Sequence, residues 1–234
     1  SPGLFGLNKR AMMRLGIHSR ERFLALEKEL DLPFDGGHQG LLHLASTPET
    51  LENYRETQRL LDELGIPSRL LTPEKVREAE PGMIGDGPLY GALSYDTDGT
   101  GDCHLFSREL AKACETKGVQ FRYNTETEHL VADDRRVTGV TIRKDDGTSE
   151  TLEADAVVVS AGCWSGHLTR PLGLELPIYP VKGYSFTVPL KDPGRAPVST
   201  IHDDNYKVVS TRLGERLRAS GFVELDDFNR DIPE

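Results

Sequence analysis

Tyr179-Pro-Val-Lys-Gly-Tyr-Ser-Phe-Thr-Val188 reads as a strand entered through Pro180, with Lys182-Gly183 at its start. It follows Ala154-Asp-Ala-Val-Val-Val-Ser-Ala-Gly-Cys-Trp-Ser165, which reads as the end of a strand over 151–160 closed by the small-residue turn Ser160-Ala161-Gly162. The run Val157-Val158-Val159 is too apolar for a half-exposed strand and predicts burial on both faces. Gly162 has no Cβ to obstruct an approaching group, so its turn permits close backbone contact, and Trp164 then opens a helix. The carboxyl end of such a strand is where open α/β sheets take ligands. A tight turn covered by a packed Trp164 is the alternative.

Working outward, the chain is helix-rich first and strand-rich later. Residues 8–31 predict an amphipathic helix capped by Asn8, with Met13, Ile17, Phe23, Leu24, Leu26 and Leu30 at three-, four- and seven-residue spacings. Residues 41–45 are a short strand candidate. Thr47-Pro48-Glu49 and Thr72-Pro73-Glu74 each combine a cap, a first-turn proline and an early carboxylate, the signature of a helix start. A strand over 89–95 precedes a helix over 103–116 with Asp102 as its cap and Gly118 as its stop. Strands are expected at 119–123, 128–132, 136–143 and 151–160, then near 181–189, 198–202, 206–212 and 215–224. This order argues against a purely doubly wound sheet and for the α+β class.

Bulk properties narrow the function. A formal charge of −10 argues against a nucleic-acid backbone or an anionic lipid surface as partner. Cys103, Cys114 and Cys163 are odd in number and widely spaced, which suggests free thiols in a reducing compartment. With no CxxC and no close His-Cys cluster, no metal site is expected from them. No run approaches the ~20 apolar residues that cross a bilayer. The sequence contains no Gly-x-Gly-x-x-Gly, no P-loop and no Gly-x-Ser-x-Gly elbow. No pair of carboxylates stands out for acid/base work, so the catalytic residues are left unassigned.

The residues that do carry a signal are Thr100-Gly-Asp-Cys103, Asn124-Thr-Glu-Thr127, Ala161-Gly162 with Trp164, and Lys182-Gly183-Tyr184. Together they resemble the flavin-contacting half of the FAD-dependent D-amino-acid oxidase superfamily, on the side of its D-amino-acid dehydrogenases. The resemblance runs from residue 8 to Glu224. It implies FAD as cofactor and a small-molecule D-amino acid as substrate. The Cα hydride would pass to the flavin, and water would then release a 2-oxo acid and ammonia, a step of amino-acid catabolism. It implies cofactor contacts from Thr127 (main chain to the adenine, where the family more often has valine), Ala161, Gly162, Trp164, Lys182, Gly183 and Tyr184. A cation at Lys182 would stabilise negative charge on the reduced ring; a solvated lysine is the alternative. Tyr206, in the acidic turn His202-Asp-Asp-Asn-Tyr-Lys207, is expected at the start of a strand, facing the substrate.

As domains, the resemblance implies a mainly substrate-binding part over 1–98, a partial FAD-binding α/β domain over 99–172, and substrate-domain strands over 173–234. It places the family's glycine-rich fingerprint before Ser1 and its carboxylate-binding arginine after Glu234. A piece bounded in this way is expected to hold FAD weakly or not at all. Electrons are expected to reach an acceptor at the membrane, with the protein in the cytoplasm or peripheral to the inner membrane. Two alternatives remain open at this level: another amine or 2-hydroxy-acid oxidase of the same superfamily, and a non-catalytic binding module.

Overall fold

A computed structural model describes residues 2–232, with side chains from residue 6 onward; Ser1 and Glu234, the ends of the expected domain ranges, lie outside the described residues. The elements run α1 (Pro2–Leu30), β1 (Leu41–Ala45), α2 (Pro48–Glu63), β2 (Arg69–Leu71), α3 (Pro73–Ala79), β3 (Gly91–Tyr95) and α4 (Cys103–Thr116). They continue with β4 (Glu126–Ala132), β5 (Val137–Arg143), β6 (Ser149–Glu153), α5 (Ser165–Thr169), β7 (Lys182–Pro189), β8 (Thr200–Asp203), β9 (Val208–Leu213) and β10 (Arg216–Glu224). The α+β class holds: a three-stranded antiparallel sheet β4-β5-β6 accompanies a seven-stranded mixed sheet in the order β2-β3-β1-β8-β9-β10-β7.

The chain divides into two compact units, Ser1–Val119 with Phe186–Ala219, and Gln120–Ser185 with Ser220–Glu234. In the first, β3 pairs antiparallel with both β1 and β2, and β1 pairs parallel with β8 in the register His43↔His202 and Leu44↔Asp203. Side chains alternate across a strand, so β1 feeds two cores. Leu42 and Leu44 pack with Val76 of α3 and Ala92, joined by Met83 and Ile201. Ala45 packs on the opposite face with Tyr54 and Leu61 of α2 and with Leu93.

The helix starts form as their chemistry dictates. The Thr47 side chain accepts from the Thr50 amide and the Thr72 side chain from the Lys75 amide, with Pro48 and Pro73 in the first turns. Asp102 caps α4, its Oδ1 accepting from the His104 and Leu105 amides at 2.9 and 3.1 Å. Its Oδ2 accepts from Arg216 at 2.8 Å, and the same guanidinium reaches Asp35 at 2.7 Å. Phe106 of α4 completes an aromatic cluster with Phe23 and Phe34, ring centroids 5.2–5.8 Å apart. These contacts explain why α4, within the expected 99–172 segment, lies in the first unit.

The buried Asp102 supplies a pH-dependent term. The Leu105 amide and the Arg216 guanidinium hold its carboxyl below the ordinary range. A depressed carboxyl contributes stability that is complete above the unfolded value near 4 and is lost as pH falls through the lower folded value. Asp102→Ala is expected to cost about 2–3 kcal/mol at neutral pH, one cap plus one charged hydrogen bond. Urea midpoints followed from neutral pH into acid should show that cost shrinking below about pH 4. A cost that does not change with pH would refute the assignment.

Three expectations need correction. The first helix begins at Pro2, so Asn8 lies inside it and caps nothing; its expected apolar face, Met13 to Leu30, is half-buried throughout. Residues 119–123 form no strand, and Phe121 stacks on Tyr123 at 5.7 Å with both rings exposed. The strand expected over 151–160 stops at Glu153. Beyond it Val158 is 86% exposed, the opposite of burial on both faces. Both faces of a strand are buried by layers packed over its sheet, and among the described residues 156–161 joins no sheet for such layers to cover.

Candidate functional site

The second unit carries seven of the eight expected site residues. Thr127 sits on β4, an edge strand of the three-stranded sheet, opposite Ile142 and beside a register shift between Thr127 and His129. An edge strand leaves half of its backbone groups without a ladder partner. A bulge further re-aims the local backbone. Thr127 is therefore placed where a main-chain contact to an added group is physically available.

Ala161 precedes a 3-10 turn over Gly162–Trp164, its carbonyl accepting from the Trp164 amide at 3.0 Å. Gly162 has φ +55, and no heavy atom lies within 4 Å of where a Cβ would stand. The left-handed conformation explains a glycine there, and the open space leaves its backbone approachable. Trp164, 52% exposed, packs on Phe228 with centroids 4.3 Å apart and on His167 at 5.6 Å. Its ring packs on these partners and leaves about half of its surface open.

Lys182 and Tyr184 lie two residues apart on β7, so they share one face, and both reach Glu224 at the end of β10. Tyr184 donates to Glu224 Oε2 at 2.6 Å, and the Lys182 ammonium lies 3.0 Å from the same oxygen. Lys182 also donates to the Asp231 carbonyl at 2.9 Å and lies 3.7 Å from Asp226. Accepting from Tyr184 and then Lys182 keeps the Glu224 carboxyl low, while its proximity raises both the lysine and the tyrosine. Lys182 is thus a neutralised cation, with its charge shared by two carboxylates. Gly183 between them has open space at its Cβ position. The segment offers a fixed backbone more directly than a free positive charge. The Glu224 partnership was missed because nothing in the local sequence joins residues 42 positions apart.

Tyr206 belongs to the first unit. It stands in the turn between β8 and β9 and not at a strand start, because Asp203 Oδ1 accepts from the Asn205 and Tyr206 amides at 2.9 and 3.2 Å and closes an Asx turn. Its side chain lines a cavity of about 410 Å³ together with Met83, Arg195, Ile201 and Ser210. That volume suits a small molecule. A larger cavity of about 680 Å³ lies against α1, Tyr95 and the 97–106 segment, and none of the expected site residues lines it. There, burial pushes the Asp98 carboxyl up against the opposing pull of Arg20.

Comparison with known proteins assigns the family. The model of the DAO family, FAD dependent oxidoreductase, matches residues 1–234. D-amino acid dehydrogenase of Xylella fastidiosa is 41% identical over 226 residues, covering 96% of this chain and 51% of the relative. D-amino acid dehydrogenase of Cereibacter sphaeroides is 42% identical over 234 residues, covering 100% of this chain and 52% of the relative. The chain therefore spans about half the length of the curated relatives it matches. The crystal structure of glycine oxidase from Geobacillus kaustophilus superposes with a TM-score of 0.81 at 26% identity, over 94% of this chain and 58% of that one.

Proposed function

This chain belongs to the DAO family of FAD-dependent oxidoreductases, and from that premise we propose that it forms part of an enzyme oxidising a D-amino acid to a 2-oxo acid and ammonia. The observation that carries the cofactor half of this reading is Gly162: a left-handed backbone beside space that no protein atom fills. That position fits a planar or phosphate-bearing group at close range. When bound, FAD supplies the two-electron acceptor for the amino acid's Cα–H bond.

The residues of this chain then divide the remaining work. The Ala161-Gly162 backbone, the edge of β4 at Thr127 and the Lys182–Tyr184 segment hold the cofactor. The Glu224 carboxylate fixes the Lys182 and Tyr184 side chains, so that segment presents its backbone without first having to order itself. Trp164, braced by Phe228 and His167, offers its half-exposed ring to the same cofactor. Tyr206 and Arg195 line the smaller cavity of the first unit. Its mixed lining, with Asp203 beside them, suits a small polar molecule, and the arginine that grips the substrate carboxylate is not assigned on this chain. The substrate ammonium would first give a proton to water, and orientation of the Cα–H bond supplies much of the rate of hydride removal that follows.

The names of the sequence relatives, D-amino acid dehydrogenases, support a D-amino acid as substrate. A cytoplasmic protein, or one peripheral to the inner membrane that delivers electrons to an acceptor there, is part of the same proposal. The glycine oxidase likeness favours, as second reading, a different amine substrate on the same frame. Anaerobic addition of D-alanine to the flavin-loaded holoenzyme is expected to bleach its visible absorbance, and L-alanine to leave it unchanged. Bleaching by glycine or a secondary amine alone would move the substrate to the second reading. Bleaching by L-alanine would defeat the stereochemical assignment.

A further inference from the structure

We propose that His43, His202 and Asp204 form a binding site for one divalent transition-metal ion with imidazole preference, Zn²⁺ being the simplest case. The site is independent of the flavin reading. His43 on β1 and His202 on β8 are direct register partners in a parallel pair, so both side chains leave the sheet on the same face. That face is opposite to Leu44, Ile201 and Asp203, which line the cavity beside Tyr206. Asp204 is the first residue of the turn after β8.

The groups are close enough for shared coordination. The three groups are in mutual contact: His43 Nδ1 lies 3.3 Å from Asp204 Oδ2, His43 Nε2 lies 3.4 Å from His202 Nδ1, and His202 Nε2 lies 3.7 Å from Asp204 Oδ1. An ion takes one nitrogen from each ring, and ligand atoms about 2.0–2.2 Å from a tetrahedral ion stand about 3.3–3.6 Å apart. One nitrogen of each ring and one carboxylate oxygen lie within 4.8 Å of one another, so small side-chain rotations bring all three onto one ion.

The surroundings fit the same role. Tyr54 of α2 donates to Asp204 Oδ2, the kind of outer hydrogen bond that orients a ligating carboxylate. The rings and the carboxylate are 24–29% exposed, which admits an ion and leaves a coordination position for water. Two imidazoles select against Mg²⁺ and Ca²⁺, which prefer oxygen. An ion held there would tie β1, the turn after β8 and, through Tyr54, α2 into one unit.

The test uses chelator-stripped protein titrated with Co²⁺ and, separately, Zn²⁺. One saturable ion per chain is expected, with the intense visible bands of low-coordinate Co²⁺ displaced by Zn²⁺. His202→Gln and Asp204→Asn should each weaken Zn²⁺ binding by about 100-fold, and Tyr54→Phe by about tenfold. Far-UV circular dichroism checks that each variant is folded. A Co²⁺ spectrum of the hexa-aquo type in the unmodified protein would overturn the proposal without any variant, leaving a hydrogen-bonded His-His-Asp cluster. Zn²⁺ affinity that is the same in His202→Gln and Asp204→Asn would overturn it equally.

Discussion

Glu80→Ala is expected to lower the unfolding free energy of the protein by about 3–5 kcal/mol, a large fraction of what a domain commonly has. Glu80 is 1% exposed and stands at the C-terminal cap of α3, where a negative charge is disfavoured by the helix dipole by about 0.3–1 kcal/mol. Three donors outweigh that penalty. Oε1 accepts from the Ser199 amide at 2.8 Å and its hydroxyl at 2.5 Å, and Oε2 accepts from the Val198 amide at 2.7 Å. Hydrogen bonds to a charged acceptor contribute about 1.5–3 kcal/mol each, and a buried donor left unpaired costs about 1–3. Alanine orphans all three at once. They lie at the entry to β8, so the loss falls on the strand that pairs with β1. Glutamine keeps the shape but turns an NH₂ toward one donor, and should cost about half as much. Urea unfolding of both variants checks the order; a loss below about 1 kcal/mol for Glu80→Ala would mean that water replaces the carboxylate freely.

The local chemistry of this fold is legible in the sequence, and its distant pairings are not. Thr47, Thr72 and Asp102 cap the helices they were expected to cap, because a cap is decided within three residues. The two-residue spacing of Lys182 and Tyr184 places them on one face by strand geometry alone. Their shared partner Glu224 is invisible locally, and so is the pairing of His43 with His202, which are 159 positions apart. His202 has Asp204 two residues on, but His43 joins them only through the parallel ladder, so a search for close His-Cys spacing passes over the group. Strand β2 escaped notice for a different reason. Arg69-Leu-Leu71 has three residues, too few for a period to appear. The Val157-Val159 run misled in the opposite direction: its composition describes what a strand needs around it, and composition alone does not supply the neighbours.

Gly162 provides the sharpest check on the cofactor reading, because strain and space separate there. At φ +55 a Cβ would meet no heavy atom within 4 Å beyond its own stretch of chain, so small side chains there differ mainly in what the left-handed conformation costs. Valine is a poor occupant of that region, and an ordinary residue loses about 1–2 kcal/mol there. Asparagine tolerates it well, so Gly162→Asn should fold with nearly unchanged stability. Both side chains nevertheless fill the space through which a ligand would approach the backbone. If the flavin uses that space, Gly162→Asn should bind FAD at least about 100-fold more weakly, near 3 kcal/mol, while its thermal midpoint without cofactor stays close to that of the parent. Gly162→Val should lose FAD to a similar degree and stability in addition. The readouts are flavin absorbance per chain in the purified holoprotein and FAD affinity after removal and re-addition of the cofactor. Full flavin content in Gly162→Asn would show that the glycine serves only its turn, and the cofactor contact would then have to rest on Thr127 and the Lys182–Tyr184 backbone. Loss of flavin in Gly162→Val alone would point to strain in the turn and not to contact. A loss shared by both variants is the outcome that only close approach explains.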